Sequence, residues 1–250
     1  MMAADQIPTA LVDRLRSARR VAVLTGAGVS AESGIPTFRD ALDGLWSRFD
    51  PRELATPDAF IRHPARVQAW YRHRDRLVDA CAPNPAHETL TDFYARFETF
   101  SLITQNVDGL HRRAGSEAAV RLHGSLNDWR CFACARPAPP PDVRSETDVP
   151  GRCPICRGLL RPGVVWFGEP LPPDELDRAM EAAATADVFL SVGTSGEVYP
   201  AAGLPEMARQ QHAFVAEINP QATPLSAGMD AVIRLPAGRA LPAIARALDS

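Results

Sequence analysis

The chain has 250 residues, of which 46% are hydrophobic and 23% charged, with a formal net charge of −3; that suits one sizeable domain, or a large domain with a small appendage. The charge balance gives no electrostatic case for nucleic acid or anionic lipid as the main partner, and no apolar run approaches the roughly 18–20 residues of a membrane span. All 27 basic residues are arginine, which excludes a Walker-type P-loop and a Schiff-base lysine, although genomic composition alone also produces such a bias.

The N-terminal stretch MMAADQIPTALVDRLRSARR has no apolar h-region, and Asp5 and Asp13 argue against a transit peptide, so a cytoplasmic protein is expected. Residues 8–19 read as an amphipathic helix with Leu11, Val12 and Leu15 inward. The apolar run VAVLT (21–25) then breaks into GAGVSAESGIPTFR (26–39). A β-branched run opening into Gly-x-Gly reads as a strand feeding a phosphate-cradling turn. Without a Cβ, Gly26 and Gly28 let backbone N–H groups approach a pyrophosphate, and a helix N-terminus just beyond favours negative charge.

Further strand-like runs follow at FSLIT (100–104), VFLSV (188–192), AFVAEI (213–218) and AVIRL (231–235), with helical stretches between several of them, such as 64–80 and 174–185. Strands alternating with helices predict an α/β protein with a mainly parallel, Rossmann-like sheet covered on both faces. Ligands bind beyond the carboxyl ends of such strands. There the chain places GAG, QNVDGLH, GTS, NPQ and PAG in turn. Two insertions interrupt the sheet, helices over 41–95 and a cysteine module over 126–160. Both are expected in a second, smaller lobe, leaving 1–40, 96–125 and 161–250 as the large lobe.

Cys131-x2-Cys134 and Cys153-x2-Cys156, eighteen residues apart, have the spacing of a tetrahedral Zn²⁺ site with four thiolates. Disulfides are the alternative, poorly suited to a chain without a secretory signal. Four thiolates leave no position for water, so the zinc is expected to be structural. Cys81 reads as an incidental thiol.

The glycine loop, TQNVDGLH (104–111), His123-Gly124-Ser125, the four cysteines, VVWFGE (164–169) and GTSGEVYPA (193–201) stand in the order found in the sirtuins, the NAD-dependent lysine deacylases. They resemble that family over nearly the whole chain. The resemblance implies NAD⁺ as cosubstrate and acyl-lysine proteins or peptides as substrates; a monomer is expected, although the sequence does not reveal the oligomeric state. It also implies a reaction in which nicotinamide is displaced from ribose by the acyl carbonyl oxygen, after which a base activates a ribose hydroxyl. Histidine is suited to that task near neutrality, and His123 in LHGS is the expected base, with Asn106 the second catalytic residue.

Carried over by position, the cofactor would meet Gly26, Ala27, Gly28, Ser30, Phe38, Arg39, Gln105, Asn106, Asp108, Gly193, Thr194, Ser195, Asn219 and Ala237. Asn106 and Asp108 would line the nicotinamide pocket, Gln105 would bond the adjacent ribose, and Phe38 would cap the reactive face. Asn-x-Asp-Gly also reads as a plain turn. His111 is expected to be structural, and His63, His73, His87 and His212 to be surface or packing residues. A substrate peptide would add as a strand between Val164, Phe167, Gly168 and Glu169 on one side and Val198 on the other. The segment FRDALDGLW (38–46) carries acidic residues where many sirtuins have glycine.

Tyr71-x-x-Arg74 places a phenol and a guanidinium on one helix face, at the position where desuccinylase and demalonylase sirtuins bind the acyl carboxylate. A preference for succinyl, malonyl or glutaryl over acetyl is expected, against the alternative of a solvated basic face. Three rivals remain. A dehydrogenase would need GxGxxG and a later acidic ribose ligand. A zinc-ribbon binding module would need basic and aromatic residues across the flap. ADP-ribosyl transfer would use the same cofactor and pocket.

Overall fold

The computed structural model describes residues 7–36 and 51–250; the expectations placed on Phe38, Arg39 and the 38–46 segment lie outside those residues. Along the chain run α1 (Thr9–Ser17), β1 (Arg20–Thr25), α2 (Pro51–Leu54), α3 (Pro57–Arg62), α4 (Pro64–Asp79), α5 (Pro85–Arg96), β2 (Thr99–Thr104), α6 (Leu110–Arg113), β3 (Val120–Arg121), β4 (Gly124–Cys131), β5 (Leu160–Val164), α7 (Pro173–Thr185), β6 (Val188–Val192), α8 (Leu204–Gln210), β7 (Phe214–Ile218), β8 (Ala231–Ile233) and α9 (Ala237–Asp249). Pro57, Pro64, Pro85 and Pro173 each stand first in a helix, where the missing N–H costs nothing and φ is already helical. Two of these starts are capped by the preceding side chain: Thr56 accepts from the Ala59 N–H at 3.2 Å, and Asn84 from the Ala86 N–H at 2.9 Å. Among the described residues no helix is long and apolar enough to cross a membrane.

Six strands form a parallel sheet in the order β3-β2-β1-β6-β7-β8. That is the doubly wound order of dinucleotide-binding sheets, which reverses direction between its first and fourth strands, here β1 and β6. Period-two alternation sends Val21 and Val23 to one face, into a core with Leu11 and Leu15 of α1, Leu90 and Phe93 of α5, and Leu241 and Ile244 of α9. Ala22 and Leu24 face the other way, onto Ala179 and Ala183 of α7 and Leu204 of α8. Leu11, Val12 and Leu15 are buried as the amphipathic pattern requires.

The second lobe is built on the antiparallel pair β4–β5 and the helices before it. Leu54, Phe60, Val67, Trp70 and Tyr71 share one core with Leu126, Trp129, Leu160, Val164 and Trp166, so the two insertions, far apart in sequence, bury each other's apolar faces. Gln68 joins them. Wholly buried, its amide donates to Leu160 O at 2.6 Å and Gly151 O at 3.0 Å and accepts from Gly151 N at 2.7 Å.

Two boundaries differ from the sequence reading. Helix α5, expected within the 41–95 insertion, packs on the large sheet through Ala86, Leu90 and Phe93. Residues of β5 with Trp166, expected with the large lobe, pair with β4 and pack in the small one. Amphipathic spacing fixes that a face is buried, not which partner buries it.

Candidate active site

In sheets of this kind ligands bind in the crevice where the strand order reverses. Here the loop after β1 meets the loop after β6 backbone to backbone: Gly28 N–H donates to Gly193 O at 2.8 Å and Gly26 N–H to Val192 O at 3.0 Å. A Cβ on Gly28 would fall 2.7 Å from Gly193 Cα, and one on Gly193, whose φ is +61°, 2.6 Å from Val29 N. The N–H groups of Gly26 and Gly28 are therefore taken within the protein. Both are engaged by β6, and glycine is required for the close approach of the loops. The helix expected just beyond is instead a pair of three-residue 3₁₀ turns, Ala27–Val29 and Ala31–Ser33, because Gly34 at φ +88° ends the second turn at once.

The loop after β2 closes the crevice from the side. Asn106 Nδ2 donates to Gly26 O at 3.0 Å and to Ser30 Oγ at 3.2 Å, and Ser30 Oγ donates to Asp108 Oδ2 at 2.7 Å. Asp108 Oδ1 accepts from the Leu110 N–H at 2.9 Å, so the Asn-x-Asp-Gly segment is a turn as well as part of the site. Gln105 Nε2 donates to Thr194 Oγ1 at 3.0 Å, and Asn219 Nδ2 to Thr194 O at 2.9 Å. The ends of β1, β2, β6 and β7 are thus tied into one polar network. Ser195 lies in the same loop as Thr194, its Oγ accepting from the Glu197 N–H at 3.4 Å. Ala237 opens α9, where the next N–H, that of Gly238, donates to the Glu32 carboxylate at 2.6 Å.

His123 sits between β3 and β4, half-buried. Its Nδ1 lies 2.9 Å from Gln105 O. A carbonyl only accepts, so the proton is on Nδ1 and the lone pair is on Nε2. Burial lowers the His123 pKa from the ordinary value, opposed by that same bond, and so favours the neutral ring.

His111 is buried with Nε2 2.9 Å from Thr25 Oγ1. Burial, with the His87 ring beside it, pushes its pKa down to about 3, and it stays neutral as a structural residue. His63, His73 and His212 are exposed. His87 is a packing residue, the second of the two expected alternatives. It is fully buried, its ring centroid is 4.8 Å from that of His111, and its Nε2 is 3.5 Å from Ser30 Oγ. Its Nδ1 accepts the Asn84 N–H at 3.3 Å. The Asn-Pro-x-His capping pattern was the available signal.

On α4 Tyr71 is buried and Arg74 lies over its ring, guanidinium carbon to centroid 5.8 Å. Burial lowers the Arg74 pKa, opposed by Tyr71 and Asp108, so phenol, guanidinium and the Asp108 carboxylate share one region. The solvated face exists too: His73, Arg76 and Leu77 are exposed, and Arg72 pairs with Asp75.

Val164 is buried, whereas Phe167, Val198 and Tyr199 are exposed apolar side chains. Most N–H groups after β5 bond within the protein: Val165 to His123 O, Trp166 to Glu169 Oε2, Phe167 to Ala55 O and Glu169 to Trp166 O. Gly168, at φ +87°, interrupts that series. The Glu169 side chain turns to Arg161 at 2.8 Å, so it fixes this turn.

In the small lobe the Sγ atoms of Cys131, Cys134, Cys153 and Cys156 all lie within 4.8 Å of one another. Zn–S bonds of about 2.3 Å at tetrahedral angles place sulfurs roughly 3.8 Å apart, so the cluster fits one zinc with a closed shell. The two knuckles match: Ala135 and Arg157, at φ +57° and +63°, each donate N–H to the first cysteine's carbonyl at 3.0 Å. Cys81 stands apart, bonded to Leu77 O. The residues fit a structural zinc.

The Sir2 family model matches residues 26–200. The chain is 52% identical over 235 residues to an NAD-dependent protein deacylase of Ralstonia nicotianae, covering 92% of both chains. A crystal structure of a Sir2 homolog–NAD complex superposes with a TM-score of 0.90 at 44% identity, covering 97% of this chain and 94% of that one. A Sir2–p53 peptide–NAD⁺ complex gives a TM-score of 0.81 at 31% identity over 96% of each chain. With its doubly wound sheet, its four-cysteine cluster and a family match over most of its length, this chain belongs to the Sir2 family, the sirtuins.

Proposed function

We propose that the protein is an NAD-dependent protein-lysine deacylase that moves the acyl group from lysine to ADP-ribose, releases nicotinamide, and prefers succinyl, malonyl or glutaryl to acetyl groups. The observation that carries the reaction is the His123–Gln105 bond. With Nδ1–H held by a main-chain carbonyl, Nε2 is free to take a proton from a ribose hydroxyl, a contribution of about 10²–10⁴-fold. Asn106 and Asp108, tied to Ser30 and to the loop after β1, would hold the nicotinamide carboxamide. Gln105, Thr194 and Asn219 would meet the ribose and phosphate side, and Ala237 the adenine end. The mutual bonds of these groups fix their positions before cofactor arrives, which lowers the ordering cost of binding.

The acyl preference rests on Tyr71 and Arg74. At the end of a lysine tunnel, a phenol O–H and a guanidinium both donate to a carboxylate, and hydrogen bonds to charged groups are worth about 1.5–3 kcal/mol each. The substrate main chain would lie between the 164–169 segment and Val198, with Gly168 offering an N–H and the exposed Phe167 and Val198 flanking it. Backbone pairing of this kind gives little sequence selectivity.

The test is a panel of succinyl-, malonyl-, glutaryl- and acetyl-peptides of one sequence, with and without NAD⁺, analysed by mass spectrometry. Free lysine with O-acyl-ADP-ribose identifies the deacylase; ADP-ribosylated protein without deacylation would refute it. His123→Ala should abolish turnover. Arg74→Met should lower desuccinylation far more than deacetylation, and equal losses would defeat the acyl assignment.

A further inference from the structure

The oxygen of Tyr71 accepts a hydrogen bond from the indole Nε1–H of Trp166 at 2.9 Å. An indole N–H only donates. The phenol's own hydrogen therefore cannot be directed at Trp166, and no acceptor for it lies among the described residues. Burial pushes the Tyr71 hydroxyl up to about 12, so the hydrogen stays in place at any working pH.

Trp166 is itself clamped. It is 2% exposed, and the Arg161 guanidinium carbon sits 3.6 Å from its ring centroid. Arg161, equally buried, donates to Val164 O and to Glu169 Oε2, both at 2.8 Å, and Glu169 Oε2 accepts the Trp166 N–H at 2.9 Å. Phe60 closes the far side, ring centroids 5.1 Å apart. The indole thus has one fixed orientation, set by an ion pair in the turn that also carries Phe167 and Gly168.

We propose that Trp166 is a specificity-positioning residue: its N–H occupies one side of the Tyr71 oxygen and so turns the phenolic O–H toward the place beside Arg74 where an acyl carboxylate binds. This rests on the acidic-acyl reading of Tyr71 and Arg74. An acetyl group has nothing to accept from Tyr71, so the indole N–H should matter for one substrate class and not for the other. The turn that presents the peptide and the floor that reads the acyl group are then one connected unit, Glu169–Arg161–Trp166–Tyr71.

The experiment measures kcat and KM for succinyl- and acetyl-peptides of identical sequence on the zinc-loaded enzyme, for wild type, Trp166→Phe, Tyr71→Phe, the double variant and Arg74→Met. Trp166→Phe should lower kcat/KM for the succinyl peptide by about 10-fold, mostly through KM, and for the acetyl peptide by less than about 2-fold. In the Tyr71→Phe background the same change should add less than about 2-fold to the succinyl loss, because the group it orients is gone. β-(3-Benzothienyl)alanine at position 166 keeps the ring and exchanges N–H for sulfur; it should reproduce the split even where Trp166→Phe folds poorly. Equal losses on both substrates, or an undiminished Trp166→Phe effect without the Tyr71 hydroxyl, would overturn the proposal. If Arg74→Met also leaves the succinyl-to-acetyl ratio unchanged, the acidic-acyl reading falls with it; if Arg74→Met is selective and the position 166 variants are not, only the role of Trp166 fails.

Discussion

Removing the Gln68 amide should loosen the small lobe and leave the polar network at the ends of β1, β2, β6 and β7 nearly intact. Gln68 is wholly buried and makes three bonds, to Leu160 O, Gly151 O and Gly151 N. In Gln68→Leu, Gly151 O keeps the Leu160 N–H at 3.0 Å, but the Gly151 N–H and the Leu160 carbonyl lose the amide. An orphaned buried polar group costs about 1–3 kcal/mol, so the two together should cost about 2–6 kcal/mol. For a chain of this size, at roughly 2–4 °C per kcal/mol, that is a fall of at least about 4 °C in the unfolding midpoint. Gln68→Glu should be no better, since it sets a carboxylate against two carbonyl oxygens while keeping only the acceptor for Gly151 N. The assay is thermal unfolding combined with the rate of zinc transfer to a chromophoric chelator. Both variants should release zinc faster than wild type, with KM for NAD⁺ changed little. A midpoint within 1 °C of wild type and an unchanged release rate would refute the view that this one side chain fastens the cysteine module to α4.

Three other expectations follow from the geometry. Gly193→Ala forces a Cβ to 2.6 Å from Val29 N at a φ of +61°; beyond about 1–2 kcal/mol of backbone strain, it should part the loops after β1 and β6 and raise KM for NAD⁺ at least about 10-fold, and a wild-type KM would count against the crevice as placed. His111 titrates near 3 when folded and near 6.5 when unfolded. The unfolded chain thus binds the extra proton between these values: the contribution is complete above about pH 6.5 and is lost as pH falls toward 3, at about 1.4 kcal/mol per pH unit. Urea unfolding at pH 7 and pH 5 should show a smaller loss for His111→Gln than for wild type, and equal losses would contradict its burial as a neutral ring. Ala135 holds a left-handed φ of +57°, so Ala135→Gly should slow zinc release and raise stability by up to about 1 kcal/mol; destabilisation would show that this knuckle is not strained.

The sequence carried the local rules. Val21 to Thr25 and the other four apolar runs declared strands by β-branching and length. Two Cys-x2-Cys knuckles declared a metal, because thiolate spacing within a knuckle is a short-range property. The strand-end residues were legible as a group because a parallel sheet must put its loops on one edge.

Tertiary structure decided the long-range pairings, which no local pattern encodes. The spacing of α5 shows a buried face, but only the packed fold assigns that face to the large sheet. Gly26 and Gly28 show in the sequence only that a backbone must pass closely, and the fold brings the end of β6 and Gly193 against them, where no Cβ intervenes. His87 looked ordinary until the fold set it against Ser30 and His111. Trp166 and Tyr71, ninety-five positions apart, met only when two insertions had to bury their apolar faces against each other. Hydrogen-bond direction across such a contact is a property of the folded chain alone.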